Sequence, residues 1–170
     1  SYDLCMHVYT QTDVYIYKID EDEKAFLKGR MEYIPYEHKD PEALKDETFA
    51  KILFECTDVP FLNRVEKEME YMTGDLDVSY SSKRYLEFNP LGVNKGSGLV
   101  KMAEILNIPI EETLAIGDNI NDLAMLQAAG TSACVANALD EIKAICDHTS
   151  KASCWEGGVA EIIETLVLHP

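Results

Sequence analysis

The sequence predicts an α/β protein in two parts: an α+β unit over residues 1–90 and a parallel-sheet α/β unit over residues 91–170. Three observations predict it. From Asn94 onward, strand-like and helix-like apolar runs alternate, as βαβ units require. Upstream of Pro90 that alternation is absent, and short hairpin-like runs take its place. Leu114–Gly130, LAIGDNINDLAMLQAAG, reads as strand, acidic loop and helix. It would put two carboxylates at the C-terminal edge of a strand, where open parallel sheets take ligands.

The elements follow in order. His7–Thr10 and Val14–Lys18 flank a polar Gln11-Thr12-Asp13 turn and predict a β-hairpin. Asp20–Lys28 is charged and predicted helical, and Tyr33–Pro41, with two prolines, irregular. Phe49–Thr57 predicts a strand. Asp58 and Pro60 are a cap and first-turn pair for a helix whose Phe61, Leu62, Val65, Met69 and Met72 form a core stripe. Leu76, Val78 and Tyr80, then Leu86 and Phe88, predict a second hairpin around Ser82-Lys83-Arg84. In the second unit Leu99, Met102, Ala103 and Leu106 make a helical stripe. A strand follows at Leu114–Ile116, a helix from Asn119 closed by Gly130, a strand at Thr131–Val135 and a helix at Leu139–Cys146. His148–Lys151 predicts a short strand, and Gly157-Gly158 opens a last helix with Val159, Ile162, Ile163 and Leu166 inward.

Composition narrows the function. A formal net charge of −16, from 15 basic and 31 acidic side chains, repels nucleic acid and anionic membranes. It also repels phosphate esters, so a site for one needs a local cation and a metal. Five scattered cysteines without a C-x-x-C are the reduced thiols expected of a cytoplasmic protein. His7, His38, His148 and His169 lack metal-ligand spacing, and no signal peptide or membrane-length apolar run is present. The chain begins at Ser1 rather than Met, so this end is not expected to be a natural start.

Asp118 and Asp122 in one short loop are hard oxygen ligands suited to Mg²⁺, and Asn121 offers an amide to phosphate oxygens without added negative charge. One capping Asp or Asn would suffice to start a helix; here four such residues crowd into five positions after Gly117. Upstream, Asn94-Lys95-Gly96 opens a helix, and Asn94 can cap it. Lys95 there faces the positive end of the helix dipole, an unfavourable placement of up to ~1 kcal/mol. Local rules broken this way tend to mark functional positions, and a helix N-terminus adds free backbone N–H groups for an anion; taken alone, Lys95 reads equally as a solvated lysine that salt screens.

N-K-G at Asn94–Gly96 followed by G-D-N-x-N-D at Gly117–Asp122 resembles motifs III and IV of the haloacid dehalogenase-like superfamily. Asn89-Pro90, Met125 and the ending E-G-G-V-A (Glu156–Ala160) resemble its Cof-type phosphatases, which carry an α/β cap. The resemblance is tight from Phe88 to Leu166; over Ser1–Arg84 it is architectural, with the antiparallel unit similar to the cap. It implies a HAD-like Rossmannoid core, present in part, under an α+β cap. It implies Mg²⁺-dependent hydrolysis of phosphate monoesters through an aspartyl-phosphate. It also implies roles: Lys95 neutralises the transferring phosphoryl group, Asp118 binds Mg²⁺, Asp122 supports the metal through water or holds Lys95, and Asn121 contacts the phosphate.

The nucleophile motif of that family, D-x-D-G-T/S, is absent, and its motif II Ser/Thr is not found. Asp20-Glu21-Asp22 and Asp75-Leu76-Asp77 are decoys that read as ordinary surface carboxylates. The chain is therefore expected to be a C-terminal fragment of a longer phosphatase, inactive alone. Its strand at Leu114–Ile116 is expected to offer an open apolar edge to a missing N-terminal segment or to a homodimer partner. A non-catalytic module binding a phosphorylated metabolite and a HAD-type phosphomutase are the alternatives. Tyr9, Tyr15, Tyr33, Tyr36, Arg64 and Arg84 are all possible substrate contacts, and sugar and nucleotide-like phosphates stay open as substrates.

Overall fold

Short runs rich in β-branched and aromatic residues build the first unit, Ser1–Gly92, and longer apolar stripes the second, Val93–Pro170. The computed structural model describes residues 4–38 and 41–169. The first unit holds β1 (Cys5–Thr10), β2 (Val14–Tyr17), α1 (Glu21–Leu27), β3 (Ile34–Tyr36), β4 (Phe49–Glu55), α2 (Val59–Met69), β5 (Leu76–Ser81) and β6 (Tyr85–Pro90). Its strands form one sheet in the order β3-β2-β1-β4-β6-β5. Every pair is antiparallel except β2–β3. The β3 strand forms inside the stretch expected to be irregular, of which Lys39 and Asp40 lie outside the described residues. A three-residue edge strand tolerates Pro35, whose missing N–H would break a central one.

The two helices lie on opposite faces of this sheet, because successive residues along each strand point to opposite sides. Leu27 of α1 packs with Cys5 and Ile16. Leu62 and Val65 of α2 pack on Leu86 and Phe88, and each such side chain contributes about 1.5–3 kcal/mol of burial. Asp20 caps α1, with its Oδ1 accepting the Glu23 N–H at 2.7 Å, and Asp58 caps α2 through the Phe61 N–H at 3.0 Å. Met72 leaves the expected core stripe and is 62% exposed. The helix tightens into a 3₁₀ turn at Glu70–Met72, which rotates this side chain off the apolar face.

A buried ionic cluster, not foreseen from sequence, sits under α1. His7 and Glu23 are fully buried, with Glu55 and Arg84 nearly so. Arg84 Nη2 lies 3.0 Å from Glu23 Oε2, donates to Glu55 Oε1 at 3.0 Å and reaches Asp22 Oδ2 at 2.6 Å. Tyr85 OH donates to Glu23 Oε1 at 2.6 Å. One sequence reading is corrected: Arg84 is consumed by three carboxylates rather than left for substrate. Asp20 and Asp22 are exposed carboxylates, as read, and serve as a cap and an ion-pair partner. In the other decoy, Asp77 Oδ2 accepts the Gly92 N–H at 2.8 Å.

His7 Nε2 lies 3.3 Å from Glu23 Oε1, which the Tyr85 hydroxyl already occupies, and neither imidazole nitrogen makes a hydrogen bond among the described residues. Burial and the cationic Lys51 and Arg84 therefore lower the imidazole pKa from 6.5 to about 4. The depressed value means the unfolded chain takes up this proton first as pH falls. The His7 contribution is thus fully present above about pH 6.5 and lost by about pH 4. Urea unfolding of the wild type and His7→Leu should show the wild type's relative stability dropping by about 3 kcal/mol across that window. Parallel curves at pH 7 and pH 4 would contradict it.

The second unit contains α3 (Lys95–Leu106), β7 (Leu114–Gly117), α4 (Leu123–Ala128), β8 (Thr131–Cys134), α5 (Asp140–Lys143), β9 (His148–Thr149) and α6 (Gly158–Ile163). The three strands are parallel in the order β7-β8-β9, with Ala115 facing Ser132, Gly117 facing Cys134, and Cys134 facing Thr149. Ala115, Leu126, Ala133, Cys134, Val135, Ala138, Ile142 and Ile162 form the core. Among the described residues β7 pairs only with β8, so its other edge is open.

Two helical stripes are narrower than expected. Helix α3 is buried at Gly96 and Ala103, whereas Met102 and Leu106 are 55% and 57% exposed. In α6, Ile162 is buried while Val159 and Ile163 remain largely exposed. Small residues set these contacts: α3 packs through Gly96, Leu99 and Ala103, so adjacent larger side chains stand clear of the helix seam. Gly130 does not end α4 in a left-handed cap. It is needed because a Cβ there would meet the Glu111 carbonyl oxygen at 2.1 Å.

Candidate active site

Two helix starts and one tight turn bring the site together. Asn94 Oδ1 accepts the Gly96 and Ser97 N–H groups at 2.9 and 3.0 Å, and Ser97 Oγ accepts the Asn94 N–H at 3.0 Å. This reciprocal cap fixes the first turn of α3 and so the origin of the Lys95 side chain. Gly96 lets that turn approach α4: an added Cβ would lie 2.4 Å from the Ala124 carbonyl oxygen. At Gly117 a Cβ would lie 2.5 Å from Asp122 Cβ. With both side chains absent, Lys95 Nζ reaches Asp122 Oδ1 at 2.5 Å.

The second oxygen of Asp122 holds the loop. Oδ2 accepts the Asp118 N–H at 3.0 Å and the Asn119 N–H at 3.3 Å. Burial pushes the Asp122 carboxyl pKa up, but the Lys95 ammonium and the two backbone donors outweigh it and hold the pKa below the usual value. Asp122 therefore stays ionised, and Lys95, half exposed, is fixed beside it. The Asp118 backbone carbonyl accepts the Leu139 N–H at 3.0 Å, which ties the loop after β7 to the one after β8.

Of the four residues singled out by sequence, Lys95 and Asp122 meet directly. Asp118 joins them through its backbone, while its exposed carboxylate makes no hydrogen bond among the described residues. The Asn121 amide, partly buried, is likewise uncommitted. The donor set fits a hard divalent ion in part: Asp118 supplies a free carboxylate, whereas both oxygens of Asp122 are engaged. Among the described residues no three His, Cys, Asp or Glu side chains converge as a metal-binding group.

Sequence reasoning missed the bracing of the loop after β9. Asn137 Oδ1 accepts the Cys154 N–H at 2.8 Å, and Glu161 accepts the Lys151 and Ala152 N–H groups at 2.9 Å each. These partners lie nine or more residues apart, so no local pattern announces them. Gly96→Ala is expected to force α3 off α4, destabilising the chain by about 1–3 kcal/mol and weakening the Lys95–Asp122 contact. Urea unfolding reads the first effect, and a rise in the Asp122 carboxyl pKa, followed by NMR, reads the second.

The fold and this lysine–aspartate pair at the C-terminal edge of a parallel sheet define a HAD-type core. The family model described as haloacid dehalogenase-like hydrolase matches residues 1–163. The chain belongs to that family. It is 34% identical over 128 residues to the Bacillus subtilis 5-amino-6-(5-phospho-D-ribitylamino)uracil phosphatase YcsE, covering 75% of this chain and 51% of that protein. It is 34% identical over 148 residues to a phosphoglycolate phosphatase of Methanosarcina acetivorans, covering 87% and 62%. A haloacid dehalogenase-like hydrolase from Bacteroides thetaiotaomicron shares the fold at a TM-score of 0.74 and 31% identity, over 95% of this chain and 60% of that one. The chain thus spans about half to three fifths of the length of these relatives.

Proposed function

We propose that this chain supplies the cap-like unit (residues 1–90) and the second half of the core (residues 91–170) of a Mg²⁺-dependent phosphate monoester hydrolase. The observation that carries this reading is the Lys95 ammonium held on Asp122 beside the uncommitted carboxylate of Asp118. Lys95 would bind a phosphoryl oxygen and offset charge that builds up during transfer, as fixed cations do in phosphoryl transfer. Asp122 would keep Lys95 in place and charged. Asn121 would donate its amide to the phosphate. Asp118 would hold Mg²⁺, with Asp122 in support through water, and the bound ion would neutralise phosphoryl oxygens as a Lewis acid.

The attacking carboxylate of the family has no counterpart here, so the chain alone is proposed to be inactive. The open edge of β7 is where a further parallel strand would pair, from an upstream segment or a second copy. The five free thiols support a reducing, cytoplasmic setting, and no described helix is long and apolar enough to cross a membrane. The relatives act on a ribitylamino-uracil phosphate and on phosphoglycolate, so the substrate is proposed to be a phosphorylated small molecule.

The test compares two preparations with Mg²⁺ and a panel of phosphate monoesters: the 170-residue chain, and the same chain with the polypeptide its reading frame encodes upstream. Turnover by the second alone supports the proposal. Brisk Mg²⁺-dependent release of phosphate by the first sinks the fragment reading. Binding without turnover in both marks a phosphometabolite-binding module instead.

A further inference from the structure

One helix of the second unit carries more apolar surface than its neighbours cover. Lys95, Leu99, Met102 and Leu106 stand at i, i+4, i+7 and i+11 and so share one flank of α3. The flank begins at the Lys95 side chain, which reaches Asp122 after β7, and Leu99 packs against the core of the unit. Further along it lies bare: Met102 is 55% exposed, Leu106 57% and Ile105, next to them, 64%. The opposite flank carries Ser97, Lys101 and Glu104, with the last two paired at 3.0 Å, as a solvent face should.

The position of α3 says what would cover the bare flank. Helix α4 joins β7 to β8, while α3 leads into β7 and packs against α4. Crossovers between parallel strands are right-handed, so where strands add in one direction, as β7-β8-β9 do, the connecting helices lie side by side on one face. Helix α4 takes the β7–β8 side, which leaves α3 over the open side of β7. Among the described residues no strand of this unit precedes α3, and none pairs with that edge.

We infer that the bare flank of α3 and the open edge of β7 form a single docking surface, and that its occupant is the polypeptide upstream of this chain, which adds a strand parallel to β7 and packs its apolar residues under Met102, Ile105 and Leu106. This rests on the fragment reading above. The relatives leave room for such a segment, since the chain spans 51% of YcsE and 62% of the Methanosarcina acetivorans phosphatase. A second copy fits less well. Each copy carries a net charge of −16, which opposes self-association. A two-fold dimer would also pair β7 antiparallel to itself, and both α3 helices would then claim the space over one gap.

Methionine oxidation reads the surface directly. Dilute hydrogen peroxide, which passes one oxygen to the thioether and leaves water, is added to the 170-residue chain and to the longer polypeptide that its reading frame encodes. Peptide masses follow each methionine, with Met72, 62% exposed in the first unit, as the internal reference. Met102 should react at about the Met72 rate in the short chain, and about 10-fold or more slowly relative to Met72 in the longer one. Leu106→Lys should restore Met102 oxidation in the longer polypeptide and lower its urea midpoint, leaving that of the short chain nearly unchanged. Met102 equally reactive in both, in a longer polypeptide that turns over phosphate esters, overturns the docking surface while the fragment reading stands. Absence of turnover with Met102 still reactive overturns both. Protection of Met102 in the short chain, with a dimer in light scattering, gives the surface to a second copy and overturns the occupant named here.

Discussion

Under the proposed hydrolase function, replacing Lys95 with methionine should lower kcat/KM for phosphate ester hydrolysis by about 10²- to 10⁴-fold in a preparation shown to turn over such esters. Lys95 is the cation fixed on Asp122, at 2.5 Å, and methionine keeps its length without its charge. Lys95→Arg should not rescue the rate, because a planar fork does not replace a compact ammonium in a seat cut to one. The same variant reports on the isolated chain. Asp122 has a depressed carboxyl pKa, so its stabilising contribution is present above the unfolded value near 3.9 and lost as pH falls through the folded value. Without Lys95, burial is opposed only by the Asp118 and Asn119 N–H groups, and acid unfolding should begin at higher pH. An unchanged rate would remove Lys95 from the chemistry, and an unchanged acid limb would remove it from the stability of the loop.

Arg84→Ala should destabilise the chain by about 3–5 kcal/mol at pH 7, the largest stability effect expected here. The guanidinium is the common partner of Glu23, Glu55 and Asp22, and the first two are buried. Burial already raises the carboxyl pKa of Glu23 and of Glu55 against the lowering influence of Arg84. A raised folded pKa favours the folded state below the unfolded value near 4.3, and that advantage disappears as pH rises through the folded value. Removing Arg84 raises both further, so the deficit should be greatest at neutral pH and shrink towards pH 4. Adding Glu23→Gln and Glu55→Gln should recover part of the loss, since neutral amides need no counter-charge. Urea midpoints across pH measure each step, and a flat deficit would mean that packing against Phe26 and Tyr85, rather than charge, is what Arg84 provides.

The candidate site was largely legible because its signals are local. Gly117, Asp118, Asn121 and Asp122 fall within six consecutive positions, and Asn94-Lys95-Gly96 within three. Caps and tight turns depend on neighbours in sequence, so Asp20, Asp58 and Asn94 could be read as helix starts. The ionic cluster was not legible, because His7, Glu23, Glu55 and Arg84 come from four elements and look, one at a time, like surface residues. The same holds for Met102, Leu106 and Met72, whose helical spacing suits a core but whose seams are set by Gly96 and by a 3₁₀ turn.

By itself the sequence determined the α/β class, the order of strands and helices apart from β3, and the clustering of carboxylates and amides in the loop after β7, since each follows from side-chain periodicity and short-range hydrogen bonding. Only the tertiary structure decided that Lys95 sits on Asp122, that Arg84 is buried among carboxylates, and that Met102 and Leu106 stand exposed on α3. Those outcomes depend on how closely backbones from distant parts of the chain approach, and that distance is set by packing at residues such as Gly96 and Gly117 rather than by any property of the residues whose charges meet.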